Sequence, residues 1–264
     1  MREVFQVFNV LVTNDDGINS PGLITLIKTL TGSEFKVWVC APDGERSAAS
    51  HSITMHSPLR VTALSLSADK MVENRWCVGG SPVDCVKLAI EELMPLKPDI
   101  VVSGINSGFN LGTDVMYSGT VSAAAEAAIY GIPSLAISLS DKGCSYDFET
   151  AATVARRVVC AVLKNGLPSG VFLNVNVPKT SDNTCVSDFR LTRVGTLRYS
   201  NVFDRRTDPR GRVYYWMCGN VMAAEDGDGY DTYAVDNGFV SISPLKIDVT
   251  DHSFLEKMKN WNFD

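Results

Sequence analysis

The stretch of sequence that decides the fold is NVLVTNDDG, residues 9–17. A short apolar run typical of a buried β-strand leads directly into two adjacent carboxylates, Asp15 and Asp16. Successive side chains of a strand point to opposite faces, so these carboxylates converge only if the backbone turns, and Gly17 with residues 19–22 supplies a turn. By itself the pair is more often a solvated Asp-Gly turn. At the carboxyl end of the first strand of an open α/β sheet, it would suit a hard divalent cation.

Strand-like and helical patterns alternate over most of the chain up to residue 180. The strand-like runs lie at residues 8–13, 37–41, 100–103, 134–140 and 171–177, and the helical patterns lie at 21–31, 83–94, 120–130 and 147–165. This alternation predicts an α/β fold with a mostly parallel sheet. Between residues 52 and 78 the runs are shorter and are more typical of a small antiparallel insert.

The alternation stops near residue 185. We therefore divide the chain into a core at 1–184 and a C-terminal appendage at 185–264 that contains hairpins and a terminal helix from Asp251. Strand-like segments of the appendage lie at 212–217 and 238–243, and its last strands can rejoin the core. The aromatic run Tyr214, Tyr215 and Trp216 indicates either a partner surface or the core of a small sheet.

Charge and composition exclude several classes of protein. The chain has 264 residues, a net charge of −6 and no dense cluster of Lys and Arg, which argues against a nucleic-acid-binding surface. A small phosphorylated ligand is compatible with this charge. The seven cysteines are odd in number and contain no Cys-x-x-Cys pair, so they are expected to be reduced. No apolar run reaches membrane-spanning length, and we expect a cytoplasmic protein without membrane contact.

A second candidate site is the glycine loop SGINSGFNLG at residues 103–112, which follows an apolar strand. It leads through YSGT at 117–120 into an alanine-rich helix. Glycines allow backbone amides to approach an anion, and a helix N-terminus adds unpaired N–H groups, so this order of elements can bind phosphate. The loop matches neither a Walker motif nor a dinucleotide fingerprint. Tight packing is the alternative reason for such glycines, whereas the polar side chains of Asn106, Ser107, Asn110 and Ser118 favour a ligand site.

A third candidate is the segment APDGERSAASHS at residues 41–52, which also follows a predicted strand. Three strand ends would then meet in one crevice, with an oxygen donor set that suits Mg²⁺ or Mn²⁺ and consists of Asp15, Asp16, Ser47 and Asn106. Zinc fits poorly, because the three histidines, His51, His56 and His252, have no metal-ligand spacing. A serine-hydrolase triad is unsupported, because no Gly-x-Ser-x-Gly elbow is present.

Together these motifs resemble the SurE (survival protein E) family of nucleotide phosphatases. The resemblance rests on NDDG at 14–17, APD through Ser47, the loop at 103–112 and YSGTV at 117–121, and it continues in GGSPVDCV at 79–86, DPRGR at 208–212 and VSISPL at 240–245. These blocks cover nearly the whole chain in the family's order. The resemblance implies a Rossmann-like three-layer sandwich, one divalent metal ion per subunit at the donor set above, and dimers that exchange C-terminal segments.

Two departures from the family pattern are visible. Ala48 stands where glycine is usual after the metal-binding serine, and Tyr230 replaces a frequent Thr before Asp231. Because Ala48 restricts the backbone where a positive φ can be required, this departure bears on the geometry of the Ser47 loop.

The activity that the family resemblance implies is metal-dependent hydrolysis of nucleoside monophosphates, as a 5′-nucleotidase with 3′-nucleotidase activity left open. We assign catalysis to Asp15 and Asp16, with a metal-activated water favoured over a carboxylate acting as base or nucleophile. We assign binding of the substrate phosphate to Asn19, Gly104, Asn110, Ser118, Gly119 and Thr120. The alternatives are a polyphosphate-cleaving phosphatase and a non-catalytic nucleotide-binding sensor. The expected assembly is a homodimer or a dimer of dimers.

Overall fold

The computed structural model describes residues 6–64, 72–139, 147–178, 188–200, 203–224 and 227–263. The strands are β1 Phe8–Thr13, β2 Phe35–Pro42, β3 Val61–Ala63, β4 Asn74–Val78, β5 Ile100–Ser107, β6 Ser134–Leu139, β7 Val171–Val177, β8 Phe189–Leu191, β9 Leu197–Ser200, β10 Phe203–Thr207, β11 Val213–Met217, β12 Asn220–Ala224 and β13 Val240–Lys246. The α-helices are α1 Pro21–Leu30, α2 Pro82–Leu88, α3 Gly119–Ile129, α4 Phe148–Asn165, α5 Asp231–Asp236 and α6 His252–Met258. The boundary near residue 185 lies outside the described residues.

Within the described ranges, nine strands form the central sheet in the order β3-β4-β2-β1-β5-β6-β7-β13-β8. The strands from β4 to β7 along this order are parallel to their neighbours, whereas β3 and β13 pair antiparallel with β4 and β7. The predicted α/β fold with a mostly parallel sheet is confirmed. Along the chain, the strands that follow β1 first lie on one side of it, as β2 and β4, whereas β5 lies on its other side. This reversal makes the carboxyl ends of β1 and β5 the topological switch point, where open α/β sheets bind ligands.

Helices cover both faces of the sheet and complete three layers. On one face, α1 and α4 pack against each other and bury Leu26 and Val158 against β1 and β5. On the other face, α2 and α3 enclose a second apolar cluster that includes Leu11 and Val86. The Ala123 and Ala127 side chains let α3 lie close to the sheet. Among the described residues, no helix is both long enough and apolar enough to cross a bilayer.

The sequence patterns placed most elements correctly, with two differences. The helix predicted at 83–94 is α2 followed by a π-helical turn at Ala89–Leu93, where the chain changes its hydrogen-bonding register. The insert predicted at 52–78 contains the antiparallel pair β3 and β4, but β4 also pairs parallel with β2 and so extends the central sheet. Periodicity cannot distinguish these cases, because sheet membership depends on a distant partner strand.

Two further antiparallel pairs of the described residues lie outside the central sheet and are here called the hairpin arm, which comprises residues 197–200 and 203–224. Within it β9 pairs with β12, and the tip is the β10–β11 hairpin. The tip is exposed on both faces: Tyr215 is 60% and Trp216 is 59% accessible. The single chain therefore does not bury these aromatic residues in the core of a small sheet, which was the second alternative from the sequence. The predicted segment at 238–243 behaves differently, because it forms β13 inside the central sheet.

Candidate active site at the switch point

Asp15 follows β1 and contacts the first turn of α3. The Thr120 backbone N–H donates to Asp15 Oδ2 at 3.1 Å, and the Thr120 hydroxyl donates to Oδ1. A Cβ atom on Gly119 would lie 3.0 Å from both Cβ and Oδ2 of Asp15. Glycine at this position therefore allows α3 to begin against the carboxylate.

The two predicted catalytic carboxylates are desolvated and close in sequence. Asp15 is only 5% exposed, and burial raises its pKa to about 6, against the lowering effect of the Thr120 hydroxyl and with a further increase from Asp16. Burial also raises the pKa of Asp16, against the Ser107 N–H bond and with a contribution from Glu45. No salt bridge in the described part of the chain involves Asp15 or Asp16. The site thus concentrates negative charge that no Lys or Arg side chain neutralises there.

Asp16 connects the end of β1 to the end of β5. Its Oδ2 accepts the Ser107 backbone N–H at 3.2 Å. The neighbouring Asn106 donates its side-chain NH₂ group to the Gly108 carbonyl at 2.9 Å. This bond does not use the side-chain oxygen, Asn106 Oδ1. The register of β5 against β6 shifts between Ser103 and Asn106, which re-aims the end of the strand.

The segment after β2 closes over the same point. The Arg46 backbone N–H donates to the Asp15 carbonyl at 2.7 Å. Gly17 has φ +98°, and a Cβ atom there would lie 3.0 Å from the backbone of Gly44. Ser47 donates its hydroxyl to Glu45 Oε1 at 2.6 Å and keeps its oxygen lone pairs for another partner. The ends of β1, β2 and β5 therefore meet, as the positions of the three motifs in the sequence predict.

The departure at Ala48 falls on a left-handed backbone position. Ala48 has φ +54° and Ser50 has φ +52°, a region in which non-glycine residues are strained. The loop is held there by Ser50, whose N–H donates to the Tyr117 carbonyl at 3.0 Å and whose hydroxyl donates to the Met116 carbonyl at 2.8 Å. The Ser47 loop thus lies against the residues that lead into α3.

The predicted phosphate-binding residues divide into two groups. Gly119 and Thr120 lie directly against Asp15, and Ser118 caps α3 by accepting the Val121 N–H at 3.1 Å. The other three residues contact different parts of the protein. Asn19 accepts a bond from Arg75, Gly104 packs against the Ile137 backbone, and Asn110 bonds to Ser138, Asn174 and Asn176.

A polar cluster at Glu126 of α3 was not found from the sequence. His51 Nε2 lies 2.7 Å from Glu126 Oε2, and Lys87 Nζ donates to Glu126 Oε1 at 2.9 Å. The three residues are dispersed over residues 51–126, so no local motif signals them. No group of three or more His, Cys, Asp or Glu side chains arranged to hold a metal occurs among the described residues. The candidate donor set is not such a group, because only two of its four members are carboxylates. The other two are the Ser47 hydroxyl and the Asn106 amide.

Several known proteins are similar to this chain over nearly its whole length. The sequence model of the family described as Survival protein SurE matches residues 10–201. A protein of Desulforudis audaxviator named 5′-nucleotidase SurE is 48% identical over 97% of this chain and 98% of its own length. A protein of Heliobacterium modesticaldum with the same name is 46% identical over 96% of this chain and 91% of its own length.

Among solved structures, the crystal structure of the SurE protein from Aquifex aeolicus is similar over 95% of this chain and 98% of that chain. The TM-score is 0.79 and the sequence identity is 38%. Likeness of sequence over nearly the whole length and likeness of fold point to the same family. The chain belongs to the SurE family.

Proposed function

We propose that this chain is a divalent-metal-dependent 5′-nucleotidase that hydrolyses nucleoside monophosphates to nucleoside and phosphate. The activity class is nucleotidase, because the chain belongs to a family whose relatives at 46% and 48% identity are named 5′-nucleotidase SurE. The single observation that carries the metal-dependent part is the desolvated pair Asp15 and Asp16, which has no cationic partner in the described part of the chain.

The donor chemistry fits Mg²⁺ or Mn²⁺. Asp15, Asp16, Ser47 and Asn106 offer two carboxylates, one hydroxyl and one amide oxygen, which are the hard oxygen ligands that these ions prefer. We propose one ion per subunit at these residues. When bound, such an ion polarises a phosphoryl oxygen and lowers the pKa of a water that can attack phosphorus.

The protein's own contacts favour different roles for the two carboxylates. Both oxygens of Asp15 accept bonds from Thr120, so this side chain is held in one orientation and is poorly disposed to act as a nucleophile. Asp16 is half-buried and accepts one bond, from Ser107, which leaves it freer to accept a proton at Oδ1. We propose that water attacks phosphorus and that Asp15 orients the site.

The phosphate would bind between α3 and the glycine loop. Two of the first backbone N–H groups of α3 already have acceptors. The Thr120 N–H donates to Asp15, and the Val121 N–H donates to the Ser118 hydroxyl oxygen. We therefore propose that the Gly119 N–H and the hydroxyl proton of Ser118 contact the phosphate, and that the helix dipole also stabilises the Asp15 carboxylate.

Phosphate release tests this proposal. Purified protein is incubated with 5′- and 3′-nucleoside monophosphates and with polyphosphate, in Mg²⁺, in Mn²⁺ or in chelator. Release from 5′-monophosphates that requires the metal supports the proposal. Faster release from polyphosphate would support the phosphatase alternative, and nucleotide binding without release would support a sensor.

We also propose a homodimer, or a dimer of dimers, built through the hairpin arm. Its β10–β11 tip presents Phe203, Tyr215 and Met217 on one face, each more than half exposed. Covering such side chains would be favourable by about 1.5–3 kcal/mol each. Sedimentation of the full chain and of a variant with residues 203–217 replaced by two glycines tests this: a monomeric full chain, or an unchanged dimer in the variant, would contradict it. We also propose a cytoplasmic location, supported by the reduced thiols of four described cysteines, Cys40, Cys77, Cys85 and Cys160.

A further inference from the structure

Asp231, the first residue of α5, is fully buried and accepts three backbone N–H groups. Gly112 donates to its Oδ2 at 2.8 Å, and Gly195 and Thr232 donate to its Oδ1 at 3.0 and 2.9 Å. The Gly112 bond joins residues that are 119 positions apart in the sequence. A buried carboxylate that accepts several charge-assisted bonds holds its donors in a narrow range of positions.

Gly112 is the point at which the glycine loop turns towards α3. It has φ +52°, and a Cβ atom there would lie 2.7 Å from Leu197 Cγ and 3.2 Å from the Gly195 carbonyl oxygen. It begins a 3₁₀ helix, Gly112–Met116, which leads through Tyr117 to the start of α3. The position of Gly112 therefore affects where the proposed phosphate-binding residues begin.

Two further bonds tie the same short helix to the base of the hairpin arm. The Thr113 hydroxyl donates to the Leu197 carbonyl at 3.1 Å, and the Tyr199 hydroxyl donates to Asp114 Oδ2. Three consecutive residues, 112–114, thus contact either Asp231 or residues 195–199. The C-terminal part of the chain is therefore hydrogen-bonded to the 3₁₀ helix that precedes Ser118.

We propose that Asp231 is a positioning residue for phosphate binding: it holds Gly112 and, through the 3₁₀ helix, the Ser118–Thr120 turn. This inference rests on the proposed function of that turn. Asp231 touches neither Asp15 nor Asp16 in the described structure, so its effect on the site is transmitted through the Ser118–Thr120 turn and is measured as binding of phosphate.

The first test compares Asp231→Asn with wild type. An Asn side chain turns one NH₂ group towards backbone N–H donors, so it cannot accept all three bonds. Amide hydrogen exchange of residues 111–120 should accelerate roughly tenfold or more, with exchange in β1 unchanged. Calorimetric titration with inorganic phosphate in Mn²⁺ should show affinity weaker by about ten- to a hundredfold, as expected for a displaced positioning group.

Thr192→Val is the matched control for general destabilisation. Thr192 is buried in the same C-terminal part and shares hydrogen bonds of 2.8 and 2.7 Å with the Ser241 and Ser243 hydroxyls. It should lower stability without changing exchange at 111–120 or phosphate affinity. Equal loss of phosphate affinity in both variants would overturn the proposal, because the effect would then be one of stability alone.

If Asp231→Asn does not fold, Asp231→Glu tests the same connection, because it keeps the negative charge but moves the carboxylate away from its three N–H donors by one methylene group. It should accelerate exchange at 111–120 and weaken phosphate binding by about threefold or more, as expected for weakened hydrogen bonds. Wild-type exchange and affinity in whichever variant folds would overturn the proposal. Neither readout needs turnover, so a wild-type protein that releases no phosphate from nucleotides would contradict the proposed function while these measurements still decide the role of Asp231.

Discussion

Thr120 donates its backbone N–H and its hydroxyl to the two oxygens of Asp15, although 105 residues separate them in the sequence. The contact joins the end of β1 to the first turn of α3 and is made across the switch point of the sheet. It satisfies a buried carboxylate and orients it at the same time. Several of the properties expected of the site follow from this one pair.

Replacement of Thr120 by Val should destabilise the protein. Val keeps the shape and the backbone N–H but removes the hydroxyl donor, and a buried carboxylate that loses a donor costs about 1–3 kcal/mol. Urea unfolding in chelator at pH 8 measures the loss. Thr120→Ser keeps the hydroxyl and should stay close to wild type. A Val variant as stable as the Ser variant would show that this bond contributes little.

Replacement of Asp16 by Asn should abolish turnover and weaken metal binding. Asp16 lies in a turn and is half-buried, so the fold should remain intact. Loss of one of the two anionic ligands should raise the free energy of the transition state by several kcal/mol. This corresponds to a rate that is lower by about 10²–10⁴-fold. Calorimetry with Mn²⁺ and phosphate release measure the two effects. Glu34→Gln, an equal change of charge directly before β2 and therefore at the amino ends of the strands, should change neither. Near-normal activity of Asp16→Asn in chelator would contradict the metal assignment.

Replacement of Gly119 by Val should displace the Asp15 carboxylate. The new Cβ atom would lie 3.0 Å from Asp15 and 3.3 Å from Pro82 Cγ, so the side chains must separate. The inhibition constant for inorganic phosphate should rise at least about tenfold, because a shift near 1 Å is enough to misplace binding groups. Gly44→Ala is the control, since a Cβ atom there meets nothing within 4 Å. Unchanged phosphate inhibition in a folded Gly119→Val protein would exclude this turn from the phosphate site.

Replacement of Ala48 by Gly should stabilise the protein. Glycine relieves the strain of φ +54°, and this outweighs the entropy lost on ordering a glycine by about 0.5–1 kcal/mol. Ala49→Gly has no such strain to relieve and should be neutral or destabilising. Denaturant midpoints of both variants measure the difference. The prediction is wrong if Ala48→Gly is destabilised as much as Ala49→Gly.

Replacement of Glu126 by Gln should cost stability in a pH-dependent way. Burial favours the neutral carboxyl, but the bonds from His51 and Lys87 together hold the pKa of Glu126 below its ordinary value of 4.5. A lowered pKa contributes stability above the unfolded value, and this contribution is lost as the pH falls through the folded one. The loss in Glu126→Gln should be about 1–3 kcal/mol at pH 7 and should shrink below pH 4.5.

Thermal unfolding of both proteins from pH 3 to pH 8 measures this difference. Glu92→Gln, a change of charge at an exposed residue of the π-helical turn, serves as the control for net charge. A difference between wild type and Glu126→Gln that stays constant over this range would contradict the lowered pKa.

The main elements and the centre of the site could be predicted from local sequence. The β1 strand, the glycine loop and the alanine-rich helix each have a pattern that is set by side-chain periodicity or backbone freedom within about ten residues. Placing Asp15, Asp16 and the Thr120 turn near one another needed only the rule that parallel strands end at one edge of a sheet.

The contacts that hold the site together could not be predicted in this way. The Ser107 backbone N–H donates to the Asp16 carboxylate, and the Arg46 backbone N–H donates to the Asp15 main-chain carbonyl. No side-chain pattern reveals such backbone donors. Asp231 bonds to Gly112 from the far end of the chain, and its neighbours resemble an ordinary helix start. Asn110, a candidate phosphate ligand by sequence, has hydrogen bonds to buried side chains of β6 and β7 that no local pattern indicates.

The sequence by itself determined the fold class, the paired carboxylates, the glycine loop and the family, because each depends on residues that are adjacent in the chain or on the order of blocks along it. Only the tertiary structure decided that β13 lies inside the central sheet, that the aromatic tip of the hairpin arm is exposed, and that Asp231 contacts the loop before α3. Strand pairing and burial depend on the free energy of contacts between distant segments, and a local pattern carries no information about which distant segment is the partner.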